Sequence, residues 1–227
     1  GSFYAPNISQ HPTDGIGRWS AADLANAMMG GVSPDGGHYY PAFPYASYAH
    51  MKREDVRDLM AFLRTTPAVE GKAPAHALAF PFNIRRTLGV WKALFLDQTP
   101  LRDDPAQSAE WNRGRYLTEA LSHCAECHSP RNVLGGVVES QRYAGGPDLE
   151  GEGWVPNITP HRLKDWTKAD MEQVLQLGLT PEGDSVGGSM ASVVRNMSQL
   201  PAADRAAIAT YVSSLPPREG PTRPQRK

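Results

Sequence analysis

Four blocks of this 227-residue sequence occur twice, in the same order, at offsets of 147 to 150 residues. The paired blocks are YAPNIS (4–9) with WVPNIT (154–159), RWSAADL (18–24) with DWTKADM (165–171), GVSPDG (31–36) with GLTPEG (178–183), and EDVRDLMAFLRTTP (54–67) with ADRAAIATYVSSLP (203–216). Similarity at one nearly constant offset is typical of a duplicated structural unit. The sequence therefore predicts two related domains in tandem, with small insertions between the shared blocks.

The second pair of blocks predicts the start of a helix in each repeat. Ser20 and Thr167 stand where a helix N-cap would lie, and an aspartate follows each of them by three residues, as in a variant of the capping box. Each helix should run for about ten residues and end at a glycine, at Gly30-Gly31 in the first repeat and at Gly178 in the second.

The last pair of blocks predicts a closing helix in each repeat, because the apolar residues recur at helical spacing and form one face. These residues are Val56, Leu59, Met60 and Leu63 in the first repeat and Ile208, Tyr211, Val212 and Leu215 in the second. No stretch alternates between polar and apolar residues over more than a few positions, as a half-buried strand would. The predicted fold class is all-α.

Charge and hydropathy exclude two classes of partner for the chain as a whole. The 23 basic and 24 acidic residues nearly cancel, so no overall field attracts nucleic acid or anionic lipid. The longest apolar run, LGVWKALFL, is interrupted by Lys92 and is far shorter than the ~20 residues of a membrane-spanning helix. We therefore expect no nucleic-acid partner and no membrane span in this chain.

Residues 123–131 read HCAECHSPR and hold both cysteines of the chain, Cys124 and Cys127. A C-x-x-C pair can be a redox-active dithiol, half of a zinc site or an attachment site for haem. A dithiol does not need the next histidine, and a zinc site would need two more ligands grouped nearby, usually as a second short pair. Haem attachment uses all three residues, because the cysteines form thioethers and His128 becomes the proximal iron ligand. The motif favours covalent haem c and leaves a zinc or dithiol protein as an alternative.

The sequence on either side of the motif agrees with this interpretation. The preceding stretch SAEWNRGRYLTEALSH has a helical period that places Trp111, Tyr116 or Leu117, and Leu121 on one face. A helix would thus lead into the cysteines. Pro130 cannot extend a helix, so the chain should turn beside the haem ring.

The repeat also indicates what the first domain lacks. Cys124 lies 32 residues before Pro156, so its counterpart would lie about 26 residues before Gly1. We therefore expect the chain to be a fragment whose first domain has lost its haem-attachment segment; a degenerate first repeat without haem is the alternative. The processed or trimmed start at Gly1 agrees with a fragment.

Methionines are the candidates for the second axial ligand of the iron. Met190 follows Gly187-Gly188-Ser189, where small residues let the backbone approach the ring, whereas Met197 precedes the last helix and is predicted to pack in the core. In the first repeat, Met51 is the candidate ligand for a lost or separately supplied haem, with His50 beside it.

Three segments carry a resemblance to a known family. They are YYPAFPYASYAHMKREDVRDLMAFLRTTPAV (39–69), WNRGRYLTEALSHCAECHSPRN (111–132) and GGSMASVVRNMSQLPAADRAAIATYVSSLP (187–216). They resemble the class I c-type cytochromes and, within them, the di- and trihaem cytochrome subunits of bacterial periplasmic dehydrogenases. The resemblance covers nearly the whole chain and implies two cytochrome c-like domains, the first without its N-terminal haem-attachment segment.

The resemblance also implies roles for single residues. Cys124 and Cys127 would be the thioether sites, His128 the proximal ligand, and Met190 the distal ligand. The Pro130 carbonyl would accept the hydrogen bond of His128. The implied haem-propionate neighbours are Arg131, Trp154 and Asn157.

Two further features follow from the resemblance. The first and last helices of such a domain cross at a glycine and an aromatic residue, here Gly114 and Tyr211. Relatives with the motif PAMPY use its methionine as a ligand, whereas this chain has Phe43 at that position, so Met51 is the substitute in the first domain.

The expected division of the chain follows from the repeat and the motif together. Residues 1–67 would be the C-terminal part of the first cytochrome c domain, 108–217 a complete second domain and 218–227 a tail. Residues 68–107 are too apolar for a free linker, so we expect this connecting segment to pack across both domains and to contain a short helix around Arg86 to Phe95.

Electron transfer is the expected function, because an iron with histidine and methionine ligands has no open position for a substrate. The alternative is a two-haem enzyme acting on a small sulfur compound or on peroxide, with an unusual ligand at one haem. Its candidate ligands are His11, His38, His50 and His76.

The expected partners are a dehydrogenase subunit as electron donor and a cytochrome, a quinone site or an oxidase as acceptor. Because bacterial haem attachment takes place outside the cytoplasm, the expected location is the periplasm, with membrane association only through a partner and with the signal sequence removed. One covalent haem site lies in this chain, and a second haem in the first domain would need the missing segment.

Overall fold

The computed structural model of the chain describes residues 1–149, 151 and 153–223, and it divides the chain into two compact units, Gly1–Leu101 and Arg102–Lys227. Both units are mainly helical, as predicted. None of the helices in the described ranges combines the length and the apolar character that a membrane crossing needs. Residues 224–227, which belong to the predicted tail, lie outside the described residues.

The first unit contains four helices among its described residues. They are α1 (Ala21–Gly30), α2 (Tyr45–Tyr48), α3 (Arg53–Leu63) and α4 (Thr87–Phe95). Helix α4 confirms the short helix predicted around Arg86 to Phe95. Residues 68–101 of the predicted connecting segment lie within this unit, and its last six residues begin the second unit.

The second unit carries the remaining described elements. They are α5 (Ala109–Tyr116), a π-helix (Leu117–Leu121), α6 (Cys124–His128), a 3₁₀ turn (Glu139–Gln141), β1 (Gly146–Pro147), β2 (Trp154–Val155), α7 (Pro160–Leu163), α8 (Lys168–Leu177), α9 (Gly188–Met197) and α10 (Ala202–Ser213). The two short strands pair antiparallel, with Gly146 opposite Val155.

Helices α1 and α8 begin and end as the capping pattern predicts. The Ser20 hydroxyl accepts from the Asp23 backbone N–H at 3.1 Å, and the Asp23 carboxylate accepts from the Ser20 N–H at 2.8 Å. Thr167 and Asp170 repeat this arrangement in the second unit, at 3.2 and 2.7 Å. Each helix has ten residues and is followed by a glycine in the left-handed region. Both capping predictions are confirmed.

The turn after each of these helices also has the same form in both units. An isolated antiparallel bridge joins Val32 to His38 in the first unit and Leu179 to Ser185 in the second. Both pairs lie 147 residues apart, which is the offset of the sequence blocks that contain the turns.

Helices α5 and α10 cross at close range in the second unit. At Gly114, an added Cβ atom would lie 1.9 Å from the carbonyl oxygen of Ala207, so only a glycine allows this separation. The Trp111 ring packs against the Tyr211 ring with centroids 5.2 Å apart. All four apolar residues that were predicted to form one face are buried, three of them on α10 and Leu215 just beyond its end. The crossing fixes the helix that leads into the cysteine motif.

The helix before the cysteines differs from the regular helix that the sequence predicts. It changes to a π-helix at Leu117–Leu121, where the Ser122 N–H donates to the Leu117 carbonyl at 2.8 Å. The wider turn alters which residues face inward, so Tyr116, Leu117, Thr118 and Ala120 are all buried. A single 3.6-residue period cannot describe this segment.

Helix α4 buries its only charged residue. Lys92 is 8% exposed, and its ammonium donates to the carbonyls of Gly30, at 2.9 Å, and Gly31, where α1 ends. It also lies 3.0 Å from His38 Nδ1 and 4.9 Å from the centre of the Tyr45 ring. In the sequence Lys92 only interrupts an apolar run, whereas in the structure it joins α4 to the end of α1.

Candidate functional site

The C-x-x-C-H motif forms the short helix α6, Cys124–His128, directly after the π-helix. His123 precedes it in the left-handed region, with φ +43°, and this turns the chain from one helix into the next. Cys124 is partly buried against the core of the second unit, whereas Cys127 is exposed, and both carry reduced thiols. Burial, followed by the nearby Glu119 carboxylate, raises the pKa of the Cys124 thiol to about 12.

The His128 ring is buried and oriented by one backbone group. Its Nδ1 lies 2.8 Å from the carbonyl oxygen of Pro156, which can only accept, so Nδ1 carries the hydrogen. Burial lowers the pKa of His128, although the bond to Pro156 opposes this effect. The ring is therefore neutral at pH 7, and Nε2 keeps the lone pair that a metal ligand needs.

The predicted bond between His128 and the Pro130 carbonyl is wrong. The backbone is extended at Ser129, and the Pro130 carbonyl accepts from the Val138 N–H at 3.0 Å instead. The pairing of β1 with β2 instead returns the chain to the motif, because Pro156 directly follows β2. The sequence held a signal for this partner, since Pro156 lies in one of the repeated blocks.

A glycine allows the Pro156 segment to pack against the motif. The Gly145 N–H donates to the His128 carbonyl at 2.7 Å, and its φ is +76°. An added Cβ atom there would lie 2.6 Å from both the Asn157 nitrogen and the Val155 oxygen. Any larger residue would push this segment away from His128.

The three residues predicted near haem propionates are placed differently from one another. Arg131 forms an ion pair with Glu126, inside the motif, and also donates to the Glu126 carbonyl at 2.8 Å. The Asn157 amide donates to the Arg218 carbonyl at 2.7 Å and accepts from the Thr159 N–H at 2.8 Å. Trp154 is half-buried in β2. Their roles toward a propionate stay predictions.

The methionine candidates separate by their packing. Met197 packs against the buried core cluster of the second unit, as expected of a packing residue. Met190 is partly buried, as Met197 is, and lies in the first turn of α9. In the first unit, Met51 is buried at 8% exposure. The role of Met190 and Met51 as iron ligands stays a prediction.

The four histidines considered for the alternative enzyme each have a partner at Nδ1. These partners are the Asp14 N–H for His11, the Lys92 ammonium for His38, the Thr99 carbonyl for His50 and the Tyr4 N–H for His76. Burial, followed by the charge of Lys92, lowers the pKa of His38. Within the described ranges, no three His, Cys, Asp or Glu side chains are grouped so that they could hold a metal ion.

A largely buried polar cluster behind the motif could not be predicted from the sequence. Glu119 in the π-helix accepts hydrogen bonds from Arg142 and from the Tyr211 hydroxyl. Tyr143 is 1% exposed, and its hydroxyl has no hydrogen-bond partner among the described residues. Glu119 and Arg142 are 23 positions apart, so nothing in the sequence indicates that these two charged residues form a pair.

Three observations indicate that the motif can hold a covalently attached haem. Cys124 and Cys127 are reduced thiols on one helical turn, the His128 ring is fixed with Nε2 available, and the buried Tyr143 hydroxyl lacks a partner among the described residues. A buried polar group without a partner is uncommon in a native fold and is a place where a missing group can supply one.

Comparison with known proteins gives related sequences, although no family model matches the chain. A protein described as "Diheme cytochrome c-type" from Cereibacter sphaeroides is 51% identical over 216 residues, which cover 95% of this chain and 72% of that protein. The fructose dehydrogenase cytochrome subunit from Gluconobacter japonicus is 37% identical over 221 residues, which cover 95% of this chain and 45% of that protein.

The cytochrome c subunit of a quinone-dependent alcohol dehydrogenase from Gluconobacter oxydans is 33% identical over 230 residues, which cover 95% of this chain and 47% of that protein. The chain thus spans most of the first relative but less than half of the two named as dehydrogenase subunits.

Proposed function

Since the chain belongs to the family of dihaem c-type cytochromes, we propose that it transfers electrons through haem c held at Cys124, Cys127 and His128. Membership rests on the 51% identical relative and confirms the resemblance to multihaem c-type cytochromes. The observation that carries the site is the bond from His128 Nδ1 to Pro156, next to two reduced thiols on the same short helix.

The protein's residues have separate tasks in this proposal. Cys124 and Cys127 would hold the haem through two thioethers, for which addition of each thiol across a vinyl group would need no oxidant and no leaving group. His128 would bind the iron through Nε2. The hydrogen bond from its Nδ1 to the Pro156 carbonyl would fix the orientation of the ring. When bound, the haem supplies an iron that gains and loses one electron at a time.

Met190 is the proposed second axial ligand. Its partial burial beside a glycine-rich approach supports this role, and the contact of Met197 with the core cluster of the same unit favours a packing role for that methionine. An iron with two protein ligands leaves no position for a substrate. The family also favours electron transfer over the alternative of an enzyme acting on a sulfur compound or on peroxide.

We further propose that residues 1–67 belong to a first cytochrome c domain. The shared capping boxes and turns support this, and so does Asn7, which repeats the bonds of Asn157. The Asn7 amide donates to the Val69 carbonyl at 2.8 Å and accepts from the Ser9 N–H at 2.9 Å. In this proposal Pro6 corresponds to Pro156 and would orient a histidine of the first domain.

An exposed aromatic residue of the first unit supports the proposal that a helix precedes Gly1. Phe62 on α3 occupies the repeat position of Tyr211 on α10. Tyr211 is covered by α5 and is 6% exposed, whereas Phe62 is 65% exposed. We propose that a preceding segment covers Phe62 and brings a second haem. Met51 would be the ligand of that haem, because Phe43 occupies the position of the ligand methionine in the PAMPY motif.

The names of the relatives support a dehydrogenase subunit as the proposed partner. A periplasmic dehydrogenase subunit would donate electrons, and a cytochrome, a quinone site or an oxidase would accept them. The near balance of 23 basic and 24 acidic residues suits a permanent subunit as well as a transient carrier. We place the protein in the periplasm, with membrane association through a partner.

Intact-mass spectrometry tests the haem proposal. The chain is produced in a bacterial periplasm with the haem-attachment machinery, and we expect one added haem mass and a sharp c-type absorption band after reduction. The double variant Cys124→Ala/Cys127→Ala should lose the mass. A wild-type chain that folds without added mass would overturn the proposal. A longer chain that includes the preceding segment should carry two haems, and Met51→Ala should change only one.

A further inference from the structure

A buried ion pair lies directly behind the candidate haem motif. Glu119 accepts a hydrogen bond from Arg142 Nη2 at 2.6 Å, and its other carboxylate oxygen accepts from the Tyr211 hydroxyl on α10. The side chains of Glu119 and Arg142 are only 14% and 21% exposed. The Arg142 guanidinium also lies 5.3 Å from the centre of the Tyr143 ring. The cluster therefore joins three separate segments of the second unit.

Both partners of the pair are held by their surroundings. Burial disfavours the charge on Arg142, but the Glu119 carboxylate, with Tyr143 and Glu139, outweighs it and raises the pKa of the guanidinium. Burial and the same carboxylate raise the pKa of Tyr211, so its hydroxyl stays a donor. Tyr211 thus fixes the orientation of the carboxylate from the opposite side.

The ion pair is connected to the motif at two points. The Glu119 carboxylate is close enough to the Cys124 thiol to raise its pKa, as a second cause after burial. Arg142 begins the segment that reaches the motif at Gly145, whose N–H donates to the His128 carbonyl at 2.7 Å. Cys124 also packs against the core cluster that contains Tyr143 and Tyr211, the two rings that contact Arg142 and Glu119, so charge at this pair lies beside the proposed thioether site.

We propose that Glu119 and Arg142 are positioning residues that set the reduction potential of the haem at this motif. The inference rests on the proposed attachment of haem at Cys124, Cys127 and His128. A carboxylate stabilises the oxidised form, which carries one more positive charge than the reduced form, and a guanidinium has the opposite effect. In the native pair the two effects oppose each other, and each substitution leaves the other charge uncompensated.

Two charge-removing variants give shifts of opposite sign. Glu119→Gln should move the midpoint potential to more positive values, and Arg142→Gln should move it to more negative values. With the ambient potential fixed at the wild-type midpoint, the ratio of reduced to oxidised haem should rise severalfold in the first variant and fall severalfold in the second. Spectroelectrochemistry on the haem-loaded chain measures both ratios.

The chain supplies two matched controls. Glu139 contacts the same guanidinium, at 3.3 Å, but its side chain is 71% exposed, so Glu139→Gln should leave the potential nearly unchanged. Arg142→Lys keeps the positive charge and should return the potential toward the wild-type value. If Arg142→Gln does not accumulate, a more positive potential in Glu119→Gln with a near wild-type potential in Arg142→Lys supports the inference, and a negative or absent shift in Glu119→Gln overturns it.

The outcomes distinguish this inference from the proposed function. Shifts of the same sign in Glu119→Gln and Arg142→Gln would mean that the pair only supports packing, and unchanged potentials would mean that it has no electrostatic role; either result overturns the inference. A wild-type chain without covalent haem would instead overturn the proposed function. A more positive potential in Glu119→Gln and a more negative one in Arg142→Gln, with a nearly unchanged potential in Glu139→Gln, support the inference.

Discussion

His128 donates its Nδ1 hydrogen to the carbonyl oxygen of Pro156, 2.8 Å away and 28 residues later in the sequence. A backbone carbonyl cannot be removed by a side-chain substitution, so this orientation depends on the path of the chain between the two residues. The close approach of Gly145 to the segment around Pro156 fixes that path. The site is therefore sensitive to main-chain displacement.

Gly145→Ala tests this dependence. The new methyl group would lie 2.6 Å from backbone atoms of Val155 and Asn157, so the Pro156 carbonyl must move away from His128. We expect a much lower yield of haem-loaded protein, measured by absorption at equal total protein. Gly135→Ala is the control, because Gly135 also has a positive φ, +80°, but faces open space. That variant should cost only about 1 kcal/mol of backbone strain and keep its haem; equal yields for both variants would contradict the prediction.

Gly114→Ala tests the crossing of α5 and α10. A methyl group placed 1.9 Å from the Ala207 carbonyl forces the two helices apart, and we expect a loss of roughly 2–4 kcal/mol in the free energy of unfolding. Urea unfolding followed by circular dichroism measures it. Gly30→Ala, also within a helix, has only the end of the Gln98 side chain nearby, at 3.8 Å, and should be neutral or slightly stabilising. A similar loss in both variants would refute the role of the crossing.

Local signals in the sequence predicted the helix starts and the core, and distant pairings could not be predicted. The capping boxes at Ser20 and Thr167 act within one turn, so the residues alone reveal them. The pairing of Glu119 with Arg142 depends on a π-helix and on a loop whose path no periodicity records. The resemblance implied Pro130 as the partner of His128, whereas Pro156 reaches His128 through two strands of only two residues each, which are too short to leave an alternating pattern in the sequence.

Met190→Ala tests the distal ligand. We expect loss of the methionine-to-iron charge-transfer absorption in the oxidised protein and a lower reduction potential, because a methionine ligand raises the potential. Met197 is partly buried against the core of the same unit, so Met197→Ala should keep the band and instead lower the free energy of unfolding by about 1–2 kcal/mol. Loss of the band in Met197→Ala alone would reverse the assignment.

Lys92 gives the first unit a predictable dependence on pH. Burial lowers its pKa from 10.5 to about 8. Between these two pH values the unfolded chain binds more protons than the folded chain, so stability rises with pH, by about 1.4 kcal/mol for each unit of the pKa difference. The contribution of this lysine is therefore least favourable below pH 8 and improves toward pH 10.5.

Lys92→Met removes this titration together with the bonds to Gly30 and Gly31. We expect the difference in the free energy of unfolding, wild type minus variant, to increase by up to about 3 kcal/mol from pH 8 to pH 10.5, as measured by urea unfolding at several pH values. Lys72→Met, at a lysine whose side chain is 71% exposed, should leave the shape of the pH profile unchanged. A difference that stays flat or falls over this range would mean that the buried ammonium of Lys92 is not destabilised in the folded protein.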